Sequence, residues 1–266
     1  MSATAQAPVL FVSHGAPTFA LEPGLLGPQL QAIGQQQTGI RAVLVVSAHW
    51  QTRGEVRVMT TAQPETIHDF GGFPAELYTL QYPAPGAPDI AQLAYQRLAA
   101  AGFPTTLDAH RGLDHGAWVP LYHLLPAAKI PVFQVSLPFG ITAEQCLALG
   151  QALAPLREQG VLIIGSGSMT HNLYELAAPD SPAEPYALEF ATWVRTAVQA
   201  RSLAALSRYR AEAPHAQRAH PTEEHFMPLL VAVGATEEAD AVRVLDGGID
   251  FGVLSMESYA WGLSAA

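Results

Sequence analysis

Short runs of apolar and β-branched residues recur along the chain, and most of them are bounded by Gly, Pro or Ser. Runs of this length without polar alternation are typical of strands that are covered on both faces of a sheet. They predict strands at residues 9–13, 42–47, 56–60, 131–137, 161–165, 242–245 and 253–259.

Between several of these runs, apolar residues recur at helical spacing. They predict helices at residues 89–101, 142–159, 183–205 and 222–233, with a kink or an early end at Pro155 in the second. Strands that alternate with helices are typical of a layered α/β domain with a largely parallel sheet. The last two strands are expected to add to the sheet edge in antiparallel direction. Since no linker, repeat or charge block interrupts the pattern, we predict one domain over residues 1–266.

Composition and charge exclude several classes of function. The 266 residues contain 13 Lys and Arg against 23 Asp and Glu, a formal net charge of −10, which opposes binding to nucleic acid or to an anionic membrane surface. The single cysteine, Cys146, excludes an intramolecular disulfide and the cysteine-based zinc sites. No segment has the ~20 apolar residues of a membrane span, and the N-terminus lacks the apolar core of a signal peptide. A cytoplasmic protein is therefore expected.

The positions of the histidines indicate a metal site. His14 directly follows the first predicted strand, His49 follows the second, and His171 follows the strand at 161–165 through a Gly-Ser-Gly-Ser turn. The carboxyl ends of parallel strands share one edge of the sheet, where α/β proteins bind their ligands. Three imidazoles that converge there would bind a first-row transition metal.

Two further histidines have suggestive neighbours. His225 is predicted in the first turn of the helix at 222–233, beside Glu224, so that either side chain could supply a ligand. His115 follows an aspartate and precedes an apolar segment, which favours an imidazole oriented by a carboxylate. His215 and His220 lie in a polar stretch and are predicted to be solvated.

Six short motifs occur in order along the chain. They are SHGAP at 13–17, SAHW at 47–50, DFGGFP at 69–74 with LY at 77–78, DHGAW at 114–118, GSGS at 165–168 with THN at 170–172, and PTEEHF at 221–226. Together they resemble the class III extradiol ring-cleaving dioxygenases of the LigB type, and most closely the 4,5-DOPA-extradiol-dioxygenase-like group. The resemblance spans residues 9 to about 262. It implies a three-layer α/β/α domain with a mixed, mostly parallel central sheet, and a mononuclear non-haem Fe(II) site that opens a catechol ring beside its hydroxyls.

The resemblance also implies roles for individual residues. His14, His49 and His225 correspond to metal ligands. His171 corresponds to the acid–base histidine beside the metal, with a fourth metal ligand as the alternative role, and His115 corresponds to the histidine that contacts the substrate hydroxyls. In this mechanism the catechol and O2 are the partners, and His171 takes a proton from the catechol and returns one later.

The ligand set leaves the metal open. The broader family uses two histidines and a carboxylate, whereas this chain has His225 at the third position, and three histidines also suit zinc. Fe(II) as the working metal follows from the family, and Zn(II) could occupy the same site. Trp50 and Phe70 are expected to line the substrate pocket.

Two alternatives to a dioxygenase remain at this stage. A zinc-dependent hydrolase could use the same histidines, with Glu224 as the general base, and a protein without catalysis could bind a metal or a small molecule. The particular catechol, the position of ring cleavage and the choice between a monomer and a small homo-oligomer stay open.

Overall fold

A computed structural model describes residues 6–263 of the chain. In this range the strands are β1 (Val9–Ser13), β2 (Ala42–Ser47), β3 (Gln51–Thr52), β4 (Val56–Met59), β5 (Thr105–Asp108), β6 (Val132–Gln134), β7 (Leu137–Pro138), β8 (Val161–Gly167), β9 (Val242–Leu245), β10 (Ile249–Asp250), β11 (Leu254–Ser255) and β12 (Ser258–Trp261). Each of the seven runs predicted as strands therefore contains a strand, although 131–137 and 253–259 are each divided between two.

The central sheet has six strands in the order β6–β2–β8–β1–β12–β9. The strands β6, β2, β8 and β1 are parallel to one another, and β12 pairs in antiparallel direction with both β1 and β9. This arrangement confirms the mostly parallel sheet with an antiparallel addition at the edge. In the register of the sheet Ser47 lies opposite Ser166, and Ser13 lies opposite Gly167, so that β1, β2 and β8 end at the same level.

The helices within residues 6–263 are α1 (Leu26–Gln36), α2 (Pro88–Ala100), α3 (His115–Leu124), α4 (Ala143–Leu153), α5 (Pro185–Gln199), α6 (Leu203–Ser207), α7 (Tyr209–Glu212), α8 (Ala216–Ala219) and α9 (Met227–Gly234). Short 3-10 segments lie at Pro17–Ala20, Ala75–Thr79, Ala154–Gln159 and Leu173–Glu175. The pattern of apolar residues did not predict α1 or α3. None of these helices has both the length and the apolar character that crossing a membrane requires.

The helix predicted over 142–159 begins and breaks for identifiable reasons. Thr142 and Gln145 form a capping box, in which the Thr142 hydroxyl accepts from the Gln145 N–H and the Gln145 amide oxygen accepts from the Thr142 N–H. The α-helix ends at Leu153, and Pro155 stands in the 3-10 segment that follows. The predicted break at this proline is therefore confirmed.

The helix predicted over 222–233 begins later than expected. Residues 222–226 form turns, and α9 starts at Met227 with Pro228 in its first turn, a position that suits a residue without an N–H. The Thr222 hydroxyl donates to the Glu224 carboxylate instead of capping the helix. The prediction that His225 occupies the first helical turn was wrong, because it lies in the turn before α9.

Strand β8 separates two layers of helices. A Cβ atom added at Gly165 or Gly167 would clash with the backbone carbonyls of Pro228 and His225, so α9 packs closely on that face. The side chain of Ser166, between the two glycines, points to the other face and donates to the carbonyl of Gly116 in α3. Helices therefore cover both faces, which agrees with a three-layer arrangement.

The same contacts revise the interpretation of the Gly-Ser-Gly-Ser segment. It is not a flexible turn, because β8 extends through Gly167 and the segment is buried. The glycines are needed where α9 approaches the strand. One hydrophobic core cluster runs through the sheet and both helical layers.

Candidate metal centre

Three histidine side chains converge at the carboxyl edge of the central sheet. The Nε2 atom of His49 lies 3.0 Å from that of His14 and 3.3 Å from that of His225. One ring nitrogen from each of the three lies within 4.8 Å of the others. The sequence-predicted ligands His14, His49 and His225 therefore meet at one point.

Each of the three is positioned by its own element. His14 follows β1 and continues the strand pairing, since its N–H donates to the Gly167 carbonyl. His49 follows β2, and its N–H donates to the Ser47 hydroxyl. His225 lies in the turn before α9, where its carbonyl accepts from the N–H of Ser168. The sheet edge and the packing of α9 on β8 together bring the three imidazoles into contact.

Hydrogen bonds define the tautomers of two of these rings. The Nδ1 of His14 lies 2.9 Å from the Ser166 hydroxyl, whose own hydrogen is donated to the Gly116 carbonyl. The Nδ1 of His225 lies 2.9 Å from the Glu224 carboxylate, which only accepts. Both Nδ1 atoms therefore carry hydrogen, and both Nε2 atoms present lone pairs to the centre.

This geometry fits a transition metal. With metal–nitrogen bonds of about 2.1 Å, two ligand nitrogens at octahedral or tetrahedral angles are about 3.0–3.4 Å apart. The distances from His49 to His14 and to His225, 3.0 and 3.3 Å, fall in that interval. A cation held among the three ring nitrogens would satisfy the Nε2 lone pairs of His14 and His225.

The electrostatic surroundings keep the imidazoles neutral, as metal ligation requires. Burial, followed by the neighbouring histidines, holds the pKa values of His14 and His225 well below their ordinary value. Burial and His115 lower the pKa of His49 to about 4, although the carboxylates of Asp114 and Asp69 oppose the shift.

His171 lies beside this centre. Its ring is stacked on that of His225, with centroids 3.5 Å apart and planes inclined by 10°. Its backbone N–H donates to the Ala219 carbonyl. Burial lowers the pKa of His171 from its ordinary value, against the opposing effect of Glu224. A neutral imidazole next to the cluster can accept a proton.

His115 is the first residue of α3 and is oriented by Asp69. Its ring Nδ1 and its backbone N–H lie 3.0 and 2.9 Å from the same carboxylate oxygen, Oδ1. Its ring centroid lies 3.9 Å from that of His49. Burial alone would raise the pKa of Asp69, but the hydrogen bonds from His115 lower it to about 2. The expectation that a carboxylate orients His115 is confirmed, although the carboxylate is not the adjacent Asp114, which caps α3.

The two aromatic residues expected in the pocket differ in position. Phe70 meets His115 edge to face, with ring centroids 5.6 Å apart, and Tyr78 and Trp118 lie beyond it. Trp50 is 5% exposed, and the guanidinium of Arg111 lies over its ring at 5.2 Å. Phe70 is therefore next to the centre, whereas Trp50 is almost fully buried.

One histidine was misjudged from the sequence. His220 is fully buried rather than solvated, because it packs against Phe190 and Phe226 and its Nε2 contacts the Met169 carbonyl at 2.9 Å. His215 is exposed, as expected, and pairs with Glu189. The alternation of polar and apolar residues around His220 gave no indication of these long-range contacts.

Sequence reasoning also missed residues that hold the histidines. Ser166 and Asp69 stand in motifs that were recognised, but no spacing rule connects them with His14 and His115. Glu224 was considered as a ligand or a general base, and it instead accepts from the Nδ1 of His225, on the ring side away from the Nε2 cluster.

Comparison with known proteins identifies the family. Residues 23–251 match the model described as the catalytic LigB subunit of aromatic ring-opening dioxygenase. A 4,5-DOPA dioxygenase extradiol of Beta vulgaris is 40% identical over 255 residues, which cover 94% of this chain and 94% of that protein. A protein of the same description from Escherichia coli (strain K12) is 38% identical over 263 residues, covering 97% and 95%. A crystal structure of an uncharacterized E. coli K12 protein superposes with a TM-score of 0.78 at 30% identity, covering 96% of this chain and 99% of the other.

The chain therefore belongs to the LigB family of aromatic ring-opening dioxygenases. It is an extradiol dioxygenase, an enzyme that opens an aromatic ring beside its hydroxyls, and enzymes of this family use a non-haem metal. The resemblance inferred from the six motifs is confirmed, and the zinc-dependent hydrolase and the silent binding protein are not supported.

Proposed function

We propose that this enzyme opens the ring of a DOPA-like catechol at a mononuclear Fe(II) centre held by His14, His49 and His225. The convergence of their Nε2 atoms, with the rings of His115 and His171 packed beside them, is the observation that carries the proposal. The descriptions of the Beta vulgaris and E. coli relatives support the choice of a DOPA-like substrate.

Iron is proposed as the working metal because the reaction consumes O2, and zinc has no redox chemistry. Three neutral imidazoles also suit Zn(II), so zinc is expected to compete for the same site and to yield an inactive protein. When bound by His14, His49 and His225, Fe(II) would supply the redox chemistry that lets O2 react with the catechol.

The protein side chains are proposed to handle substrate protons and orientation. His171 does not bind the metal and takes a catechol proton on a ring nitrogen, since its lowered pKa keeps it neutral near pH 7. It returns a proton later in the reaction. His115 contacts a catechol hydroxyl and positions the ring.

The aromatic surface beside His115 is proposed as the wall of the substrate pocket. Phe70 is placed to contact the catechol ring, because it lies edge-on to His115. Trp50 was predicted for the same role, and its near-complete burial favours a structural contribution through Arg111. The partners are thus a small aromatic diol and O2, and a monomer or a small homo-oligomer is expected.

The experiment is anaerobic reconstitution of the metal-free protein with Fe(II) or with Zn(II), followed by O2 uptake with DOPA, caffeate, protocatechuate and catechol. We expect uptake with iron and none with zinc, and both atoms of ¹⁸O2 in the ring-opened product. Absence of O2 uptake with the iron-loaded protein for every catechol in the panel would contradict the proposal.

A variant tests the ligand assignment in the same preparation. His14→Ala should lose most of its iron and all of its O2 uptake while it keeps the circular dichroism spectrum of the wild type. His110→Ala is the matched control, because His110 is exposed on a surface loop. Full iron occupancy in His14→Ala would refute the assignment of His14.

A further inference from the structure

Asp69 joins two histidines of the centre that have different roles. Its Oδ1 accepts both the Nδ1–H and the backbone N–H of His115, and its Oδ2 lies 3.8 Å from the Nδ1 of His49. One carboxylate thus touches a proposed metal ligand and the residue proposed to contact the substrate. Its side chain is 24% exposed, and Asp69 lies in the irregular segment between β4 and α2.

The position of Asp69 is itself fixed by α3. The backbone N–H that it binds is the first of the helix, and it has no partner within the helix. A carboxylate is also favoured at this end by the helix dipole. Asp114 caps the same helix through the N–H of Ala117, so the two acids hold different N–H groups. This anchoring gives Asp69 a defined place even though the surrounding segment has little regular structure.

The hydrogen bond decides which nitrogen of His115 carries hydrogen. A carboxylate accepts only, so Nδ1 must be protonated, and in a neutral ring Nε2 then presents a lone pair. Within residues 6–263 this Nε2 has no hydrogen-bond partner, whereas Nδ1 is fully engaged. The atom of His115 left for a substrate is therefore an acceptor, which matches a hydroxyl that donates.

We infer that Asp69 is a positioning residue that fixes the Nδ1–H tautomer of His115, so that His115 accepts a hydrogen bond from a catechol hydroxyl. The inference rests on the proposed function, and it adds the residue that fixes the orientation and the tautomer of His115. Without Asp69, the ring could turn or adopt the opposite tautomer, and an Nε2–H would then face the hydroxyl hydrogen.

A bound cation is the alternative role for these three side chains, since His49, Asp69 and His115 each place a ligand atom within 4.8 Å of the others. Oδ1 already receives two hydrogens from His115, however, and its lone pairs are directed to them. A positioning role uses both hydrogen bonds that Oδ1 accepts, and a second metal would have to break the one from the His115 ring.

The test is a double-mutant cycle of Asp69→Asn and His115→Phe, with His115→Gln as a second replacement. Metal content, circular dichroism and catechol binding under nitrogen are measured on the same Fe(II)-loaded preparations. Asp69→Asn should retain iron and weaken catechol binding about tenfold, the order of one hydrogen bond. In the His115→Phe and His115→Gln backgrounds the same substitution should change binding by less than about twofold, because the residue through which Asp69 acts is gone.

Glu76→Gln is the matched control, since Glu76 is an exposed acid of the same segment. It should bind catechol as the wild type does. Equal effects of Asp69→Asn with and without His115 would overturn the inference. Loss of metal from Asp69→Asn would also overturn the inference, because it would show that Asp69 supports His49 or binds a second ion.

A measurement without turnover separates this inference from the proposed function. Long-range ¹H–¹⁵N spectra of the metal-free protein report the tautomer of each histidine, and the His115 signals are those missing from His115→Phe. We expect the Nδ1–H form in the wild type and a mixture in Asp69→Asn. An unchanged tautomer would refute the role of Asp69. If the iron-loaded wild type fails to consume O2, the proposed function fails, and the spectra still decide the tautomer.

Discussion

The imidazole rings of His171 and His225 lie face to face, with centroids 3.5 Å apart and planes inclined by only 10°. A histidine binds a metal through a lone pair in the plane of its ring. The two rings lie in nearly parallel planes, so their in-plane lone pairs do not converge on one point. The stacking favours an acid–base role for His171 over the role of a fourth ligand.

His171→Gln should retain Fe(II) and bind catechol under nitrogen, because neither depends on the His171 ring. Ring opening should slow by at least about a hundredfold, the typical contribution of a general acid–base group. Iron content, anaerobic catechol binding and O2 uptake on one preparation test this expectation, with His110→Gln as the control. Loss of iron would show that His171 is a metal ligand. Normal turnover would show that it is neither a ligand nor an acid–base group.

Ser166→Ala should weaken metal binding without touching a ligand. The Ser166 hydroxyl accepts from the Nδ1 of His14, and such supporting contacts are typically worth about 10–100-fold in metal affinity. Competition with a chelator measures the affinity. Ser168→Ala is the matched control, because that hydroxyl is equally buried and donates to the Thr170 carbonyl. Equal metal affinity in the two variants would show that Ser166 does not support metal binding by His14.

Gly234→Ala should destabilise the fold. A Cβ at Gly234 would clash with the carbonyl of Leu147 where α9 crosses α4, and overpacking of this kind costs about 1–3 kcal/mol in the free energy of unfolding. Gly71→Ala is the control, since a Cβ there has no atom within 4 Å and its effect should stay within about 0.5 kcal/mol. Urea unfolding measures the stability of both variants. Equal unfolding midpoints would show that the contact between α9 and α4 does not require glycine at position 234.

The burial of His220 predicts a dependence of stability on pH. Burial lowers the pKa of His220 from 6.5 to about 3, against the opposing hydrogen bond to the Met169 carbonyl. The unfolded chain therefore takes up this proton first. The contribution to stability is complete above about pH 6.5 and is lost as the pH falls toward about 3, by up to about 1.4 kcal/mol for each pH unit.

His220→Leu removes this titrating group. Between pH 6 and pH 4, the free energy of unfolding of the metal-free variant should fall less steeply than that of the wild type. The difference in slope should be about that of one bound proton, up to about 1.4 kcal/mol for each pH unit. The slope with pH is measured rather than the absolute stability, because the variant also loses the hydrogen bond to the Met169 carbonyl and is destabilised at every pH. Identical slopes for the two proteins would show that folding does not lower the pKa of His220.

Local patterns were sufficient for the six strands of the central sheet and for the placement of three histidines after them, whereas β3, β5 and β10 lie outside the predicted runs. Val9–Ser13 and Ala42–Ser47 were predicted at their observed bounds, because a strand buried on both faces is a continuous apolar run. The carboxyl ends of parallel strands share one edge of the sheet, and this rule brings His14 and His49 together. The start of α9 was placed too early, because Thr222 and two acids imitate a helix start whereas Pro228 marks the actual first turn.

The tertiary structure alone decided which partners hold the histidines. Ser166 supports His14 across 152 residues, and Asp69 supports His115 across 46. Such contacts depend on how whole elements pack, and no local periodicity encodes them. The burial of His220 has the same origin, since Phe190 and Met169 reach it from other parts of the chain. The sequence by itself thus determined the sheet and the chemistry available at its edge, and the packing of α3 and α9 on opposite faces of β8 decided how that chemistry is oriented.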